Sequence, residues 1–222
     1  MIEPLRVSEL FYSIQGESTR AGLPCLFIRL AGCNLRCVYC DARYTWEEAG
    51  TPMEAAEILA WVNEYPGVMV EVTGGEPLMQ TGVYPLMQAL IDAGRPVLLE
   101  TNGSLLLDGV PEGVGIIMDI KCPDSGMAAR NLPDNCTLLK ERSRRGCRDE
   151  IKFVLSSETD FHWARAMVER DQLTDSMPVL FSPVQPRFAP ATLAQLLLDH
   201  RLPVRLQLQL HTLLWPDRTR GV

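Results

Sequence analysis

The chain has 222 residues, 46% of them hydrophobic and 22% charged, which fits one globular domain with a substantial core. A formal net charge of −7 weighs against a nucleic-acid-binding protein, which needs a basic face. Seven cysteines in an uneven count, with no signal peptide ahead of them and no run near the ~20 apolar residues of a membrane span, point to a reducing cytoplasm.

Residues 7–15 read as an N-terminal extension that adds a strand beside the main unit. Residues 25–30 form a buried strand. A helix is then expected from Thr51-Pro52-Met53-Glu54, with Thr51 as N-cap, Pro52 at the first helical position and Glu54 closing a capping box. Ala55, Ile58, Leu59 and Val62 supply its apolar face. A strand over 68–72 leads into a Gly-Gly-Glu-Pro loop. A helix over 84–93 follows, capped by Gly94. Strands over 97–99, 116–120 and 151–155 come next. Ser157 starts a helix that runs to about 169, and a strand over 179–181, a helix over 191–199 and a strand over 204–210 complete the series. This is a βα repeat with parallel-strand character. Six units are about two short of a full (β/α)8 barrel. Polar residues recur where strands end: Thr73 to Glu76, Glu100 to Asn102, Asp119 with Lys121, Ser182, and His211. Barrel enzymes build their sites on that carboxyl edge.

Cys33, Cys37 and Cys40 are spaced Cys-x3-Cys-x2-Cys, with no fourth cysteine nearby. A structural zinc site wants four ligands, usually in two pairs. Here only Cys37 and Cys40 form a tight pair, and His162, His200 and His211 lie far downstream. Inert core cysteines fit poorly beside Asn34, Arg36 and Asp41. A closed [4Fe–4S] cluster takes four thiolates, so three leave one iron open. That iron can chelate the amino and carboxylate groups of S-adenosylmethionine. One electron then breaks the sulfonium bond and makes a 5′-deoxyadenosyl radical. The spacing resembles that of the radical S-adenosylmethionine superfamily, and Thr73-Gly74-Gly75-Glu76-Pro77 resembles its second motif. The superfamily implies an α/β fold, a partial, minimal (β/α)6-type barrel, in one domain over residues 1–222. Cys25, Cys122, Cys136 and Cys147 form no close pair for a second cluster. A basic run of Arg142, Arg144, Arg145 and Arg148 reads as a solvated loop, with a docking patch for an acidic electron donor as the functional alternative.

Four further segments narrow the reading: Phe11-Tyr12-Ser13-Ile14-Gln15-Gly16-Glu17-Ser18, Phe27-Ile28-Arg29-Leu30-Ala31-Gly32-Cys33, Cys40-Asp41-Ala42-Arg43-Tyr44-Thr45-Trp46, and the close from Gln209 through His211 and Trp215 to Val222. Together they resemble the 7-carboxy-7-deazaguanine synthase family. The resemblance implies a lyase that converts 6-carboxy-5,6,7,8-tetrahydropterin to 7-carboxy-7-deazaguanine and ammonia, toward preQ0 and queuosine. S-adenosylmethionine would be regenerated, the radical would take hydrogen from the substrate's C6, and the pterin ring would contract. It implies a homodimer and a flavodoxin-type donor. It places substrate at Ile14, Gln15, Gly16, Arg29, Thr73 and His211. It places S-adenosylmethionine at Tyr39, Asp41, Gly75, Asp119, Ile120, Lys121, Ser182, Pro183 and Val184.

The residues agree with such a substrate. Gln15 offers a donor and an acceptor. Glu17 or Glu100 can accept from an amino-pyrimidine edge, and Arg29 can grip a carboxylate bidentately. One position departs from the family: a threonine that contributes to a Mg2+ site is Ala42 here, so reduced Mg2+ dependence is expected and no Mg2+ ligand is assigned. Two alternatives stand beside this. One is a radical activase that makes a glycyl radical on a partner enzyme, which would need a docking face but not Gln15, Glu17 and Arg29. The other is a non-catalytic iron–sulfur or zinc module.

Overall fold

The computed structural model describes residues 3–222; Met1 and Ile2, the start of the segment read for a signal, lie outside the described residues. The chain opens with β1 (Leu5–Ile14), antiparallel to β2 (Pro24–Leu30). A one-turn helix, α1 (Tyr44–Glu47), ends the cysteine loop, and β3 (Thr51–Met53) pairs antiparallel with the start of β1. Then follow α2 (Ala55–Asn63), β4 (Met69–Gly74), α3 (Val83–Asp92), β5 (Val97–Thr101), β6 (Val114–Lys121), α4 (Pro133–Arg144) and β7 (Glu150–Leu155). The series ends with α5 (Glu158–Asp171), β8 (Val179–Pro183), α6 (Pro190–Asp199), β9 (Arg205–Leu206) and α7 (Leu210–Leu214).

Among the described residues all strands join one nine-stranded sheet in the order β3-β1-β2-β4-β5-β6-β7-β8-β9. From β2 to β9 every pairing is parallel. Helices cover one face, so the outward side chains pack in a dry core; on β6, Val114, Ile116, Met118 and Ile120 are buried there. The inward residues of the same strands line a partial barrel. Its lower part is apolar, with Phe11, Cys25, Phe27, Leu98 and Ile117 clustered. Its upper part is polar and forms the site. The sheet edges do not meet. The β1–β2 loop and the C-terminal segment cross the opening: Ser18 N donates to Gln207 Oε1 at 2.7 Å and Leu210 N to Gly16 O at 3.1 Å.

Four elements differ from the sequence reading. Thr51 and Pro52 are strand, not helix start, because their backbone pairs with Val7 and Arg6. Proline is tolerated there at the sheet edge. The N-cap is Glu54, whose box closes with Glu57. The strand pair β5–β6 has no intervening α-helix; an irregular segment buries Leu107 and Val110 instead, so the six long parallel strands do not make six regular βα units. Only Arg205–Leu206 of the expected 204–210 strand pairs, so His211 sits in a short helix rather than at a strand end. No helix among the described residues is long and apolar enough to cross a membrane.

The fourth difference is α4, where a loop with a basic run was expected. Its buried positions Cys136, Leu139 and Arg142 recur at intervals of three, with an arginine where a core residue is expected. Arg142 is buried and donates to both Asp149 oxygens, at 2.8 and 3.2 Å, and to Val114 O at 2.7 Å. Asp149 in turn accepts from Ile116 N at 2.9 Å. Arg142 is therefore not part of a solvated patch; Arg144, Arg145 and Arg148 are exposed. Arg142→Ala strands a buried carboxylate and is expected to lower unfolding free energy by about 3–5 kcal/mol in a urea titration.

Candidate active site

The carboxyl edge of the parallel strands opens into a cavity of about 400 Å³, within the range of small-molecule sites. The cysteine loop forms one wall. It leaves β2 through Gly32, whose φ of 92° turns the chain and whose N–H donates to Thr45 O at 2.6 Å. Leu35 anchors the loop in the core. Arg36 donates to Cys33 O and Leu35 O and lies over the Trp46 ring at 4.1 Å. Cys33, Cys37 and Cys40 are free, half-buried and all on the cavity wall. Burial pushes the Cys37 and Cys40 thiols up, opposed at Cys37 by the Lys121 ammonium.

The Thr73-to-Pro77 segment braces that loop. A Cβ on Gly75 would lie 2.2 Å from Gly32 O and 2.7 Å from Cys33 Cβ. Glu76 N donates to Gly32 O at 2.9 Å. The Glu76 carboxylate is fully buried and accepts from Leu78 N, Thr101 Oγ1 and Asn102 N, joining the ends of β4 and β5. Its glycines therefore serve close approach between two protein backbones.

The opposite wall is a polar network. Lys152, on β7, forms ion pairs with Glu17 (2.6 Å) and with Glu100. Thr73 Oγ1 donates to Glu100 at 2.9 Å, and Gln207 and Gln209 donate to Glu17. Burial pushes the Glu100 carboxyl up, but Lys152 outweighs it, with Thr73 and Arg29, and holds it below the usual carboxylate range. Glu71 moves the other way, raised by burial and by Glu100 and Glu17. Gln15 Nε2 donates to Glu71 and Gln15 Oε1 accepts from Glu17 N, so much of that amide's bonding is internal. Arg29 Nε is engaged by Glu9 at 2.8 Å.

Residues 27–151 match the Radical SAM superfamily. A 7-carboxy-7-deazaguanine synthase of Chlorobaculum tepidum is 46% identical over 219 residues, covering 99% of this chain and 98% of its own. The chain belongs to the 7-carboxy-7-deazaguanine synthase family. A synthase of that name from Koribacter versatilis is 39% identical, covering 98% of this chain and 100% of its own. The crystal structure of QueE from Escherichia coli superposes with a TM-score of 0.73 at 22% identity, covering 93% of this chain and 94% of its own, a likeness of fold. The activase and the metal-module alternatives are set aside by the full-length matches.

In this family member most of the expected site residues reach the cavity. Ile14, Gln15, Gly16, Glu17, Arg29, Thr73, Glu100 and His211 line it, as do Tyr39, Asp41, Gly75, Asp119, Lys121 and Val184. Ile120 instead packs in the outer core, because alternate strand residues face opposite sides. Ser182 and Pro183 are buried on β8 and do not line the cavity. Glu71, Lys152 and Glu9 were not anticipated. Glu71 and Lys152 carry a legible signal, a charge flanked by apolar residues inside a buried strand. Glu9 carries none: it gathers Arg29, the Tyr44 hydroxyl and Gly221 N from three distant segments.

The residues fit an iron–sulfur cluster with one open iron: three free thiols on one loop, with no fourth cysteine on the cavity wall. One buried polar atom on that wall, Asp119 Oδ1, has no partner among the described residues and suits a polar ligand. A Mg2+ site fits less well. Ala42 offers no side-chain oxygen, and the nearby Thr45 hydroxyl donates to Ala42 O at 2.7 Å.

Proposed function

We infer that this chain is a 7-carboxy-7-deazaguanine synthase, contracting the ring of 6-carboxy-5,6,7,8-tetrahydropterin with loss of ammonia on the path to queuosine. One observation carries the reading: the chain-length match at 46% identity to a synthase of that name. When bound, the cluster and S-adenosylmethionine supply the one-electron cleavage that starts the radical reaction. Cys33, Cys37 and Cys40 hold the cluster. On the cofactor side, Tyr39, Asp41, Gly75, Asp119, Lys121 and Val184 bind S-adenosylmethionine, with Ile120, Ser182 and Pro183 contributing backbone or packing only. Ile14, Gln15, Gly16, Glu17, Arg29, Thr73, Glu100 and His211 bind the pterin. The remaining guanidinium nitrogens of Arg29 receive its carboxylate, since no hydrogen bond from them is present among the described residues.

Anaerobic incubation of the reconstituted protein with reductant, S-adenosylmethionine and the carboxy-tetrahydropterin tests this. Mass analysis is expected to find 7-carboxy-7-deazaguanine, with S-adenosylmethionine undiminished. Cofactor cleavage with no deazaguanine would overturn it.

The single domain 1–222 works in the cytoplasm as a homodimer, in keeping with the family resemblance. Its electron donor is an acidic, flavodoxin-type protein. The exposed Arg144, Arg145 and Arg148 lie at the end of α4 and in the loop before β7, on the edge opposite the cysteines, so they are poorly placed to receive it. Exposed Arg36 lies within the cysteine loop and exposed Arg43 just after Cys40, and both are better placed.

Turnover is expected to depend weakly on Mg2+. Ala42→Thr adds one hard oxygen and should increase Mg2+ stimulation, read as turnover against Mg2+ concentration with chelator-treated controls. Strong dependence in the natural protein, unaltered by the substitution, would place the ion on other groups.

A further inference from the structure

We infer that Lys152 is a positioning residue: its ammonium fixes Glu17 and Glu100 on the cavity wall, so that the wall selects a ligand edge rich in N–H donors. This rests on reading the cavity as a pterin site. Lys152 lies mid-strand on β7 with its side chain 4% exposed, while Glu17 and Glu100 are 17% and 27% exposed. The cation is thus behind and the anions in front. An ammonium buried for stability alone needs one well-placed carboxylate. Here it bridges two, from the β1–β2 loop and from β5, and a third, Asp119, stands at 4.0 Å.

The other charges on this wall are already matched. Lys121 pairs with Asp119 at 2.8 Å and Arg29 with Glu9. Among the described residues Glu17 and Glu100 therefore have one directly paired cation, Lys152, and Glu71 has none; Arg29 acts on Glu71 and Glu100 without an ion pair to either. Carboxylate oxygens each have two acceptor sites. Lys152 and Thr73 occupy one on each Glu100 oxygen; Gln209 occupies one on Glu17 Oε1. Each of these oxygens can take one more donor, and the amino-pyrimidine edge of a pterin presents adjacent N–H donors. Without Lys152, Glu100 loses the cation that chiefly holds it charged on a poorly solvated wall beside Glu71, and it takes up a proton. An acceptor then becomes a donor facing a donor.

The test is substrate KM for 6-carboxy-5,6,7,8-tetrahydropterin across about pH 6–9, the span over which a raised carboxyl would titrate. For Lys152→Met, KM at pH 7 should rise at least about tenfold, the scale of one lost charge-assisted contact. It should fall back as pH rises through the raised carboxyl pKa, since the ionised form is the binding form. Saturating kcat and uncoupled S-adenosylmethionine cleavage should stay within a few-fold. The double variant Glu100→Gln, Lys152→Met removes the stranded charge as well. It should bind weakly at every pH, and it serves if the single variant does not fold. Unchanged KM in Lys152→Met, a loss equal at every pH, or wild-type affinity in the double variant would overturn the role. Absence of deazaguanine from the wild type would instead remove the functional reading itself.

Discussion

Cys37→Ala protein is expected to fold, to bind less iron than the four atoms of the intact cluster, and to cleave no S-adenosylmethionine. The side chain is small and half-buried, so its loss costs the core little. Its loss leaves two thiolates where the chemistry needs three. Cys33→Ala and Cys40→Ala should behave alike. Cys136→Ala is the control, because Cys136 packs on α4 against the outer core and not on the cavity wall. Iron and sulfide analysis, the low-temperature EPR signal after reduction and cofactor cleavage are the measurements. A cleavage-competent [4Fe–4S] centre in the Cys37 variant would refute the three-cysteine assignment.

Gly75→Val should also lose the cluster, although Gly75 ligates nothing. The added Cβ meets Gly32 O and Cys33 Cβ inside contact distance, and neither a β2-anchored carbonyl nor a ligating residue can yield cheaply. Iron content and S-adenosylmethionine affinity should fall together. Stability should drop by about 3 kcal/mol or more, as for other overpacked sites. Gly75→Ala brings the same Cβ and should share the defect. Full iron occupancy with weakened cofactor binding alone would show that the glycine serves only the ligand, as the family resemblance implied, and does not brace the loop.

Much of this was legible from one chain. The cysteine spacing and the lack of a fourth cysteine nearby were local facts. So was the βα rhythm, because buried parallel strands read as apolar runs. What escaped depended on distant partners. Thr51-Pro52 looks like a helix start until Arg6 and Val7 claim its backbone. Arg142 looks solvated until Asp149 and two carbonyls surround it. Gln15 looks free to bind substrate until Glu71 takes its amide. Ile120 followed Asp119 and Lys121 into the expected site, but strand alternation turns it outward.

The contacts across the barrel opening set an order of events during synthesis. Glu17 meets Gln207 across 190 positions, and Glu9 meets Gly221 across 212. At ribosomal rates of about 5–20 residues per second, the early loop waits roughly 10–40 s for these partners. The cysteine loop, β4 and the Gly75 brace are all made within the first third of that interval. A nascent chain can therefore present its three thiols long before the cavity around them is closed. Iron delivery has its easiest access in that window, and oxygen has the same access.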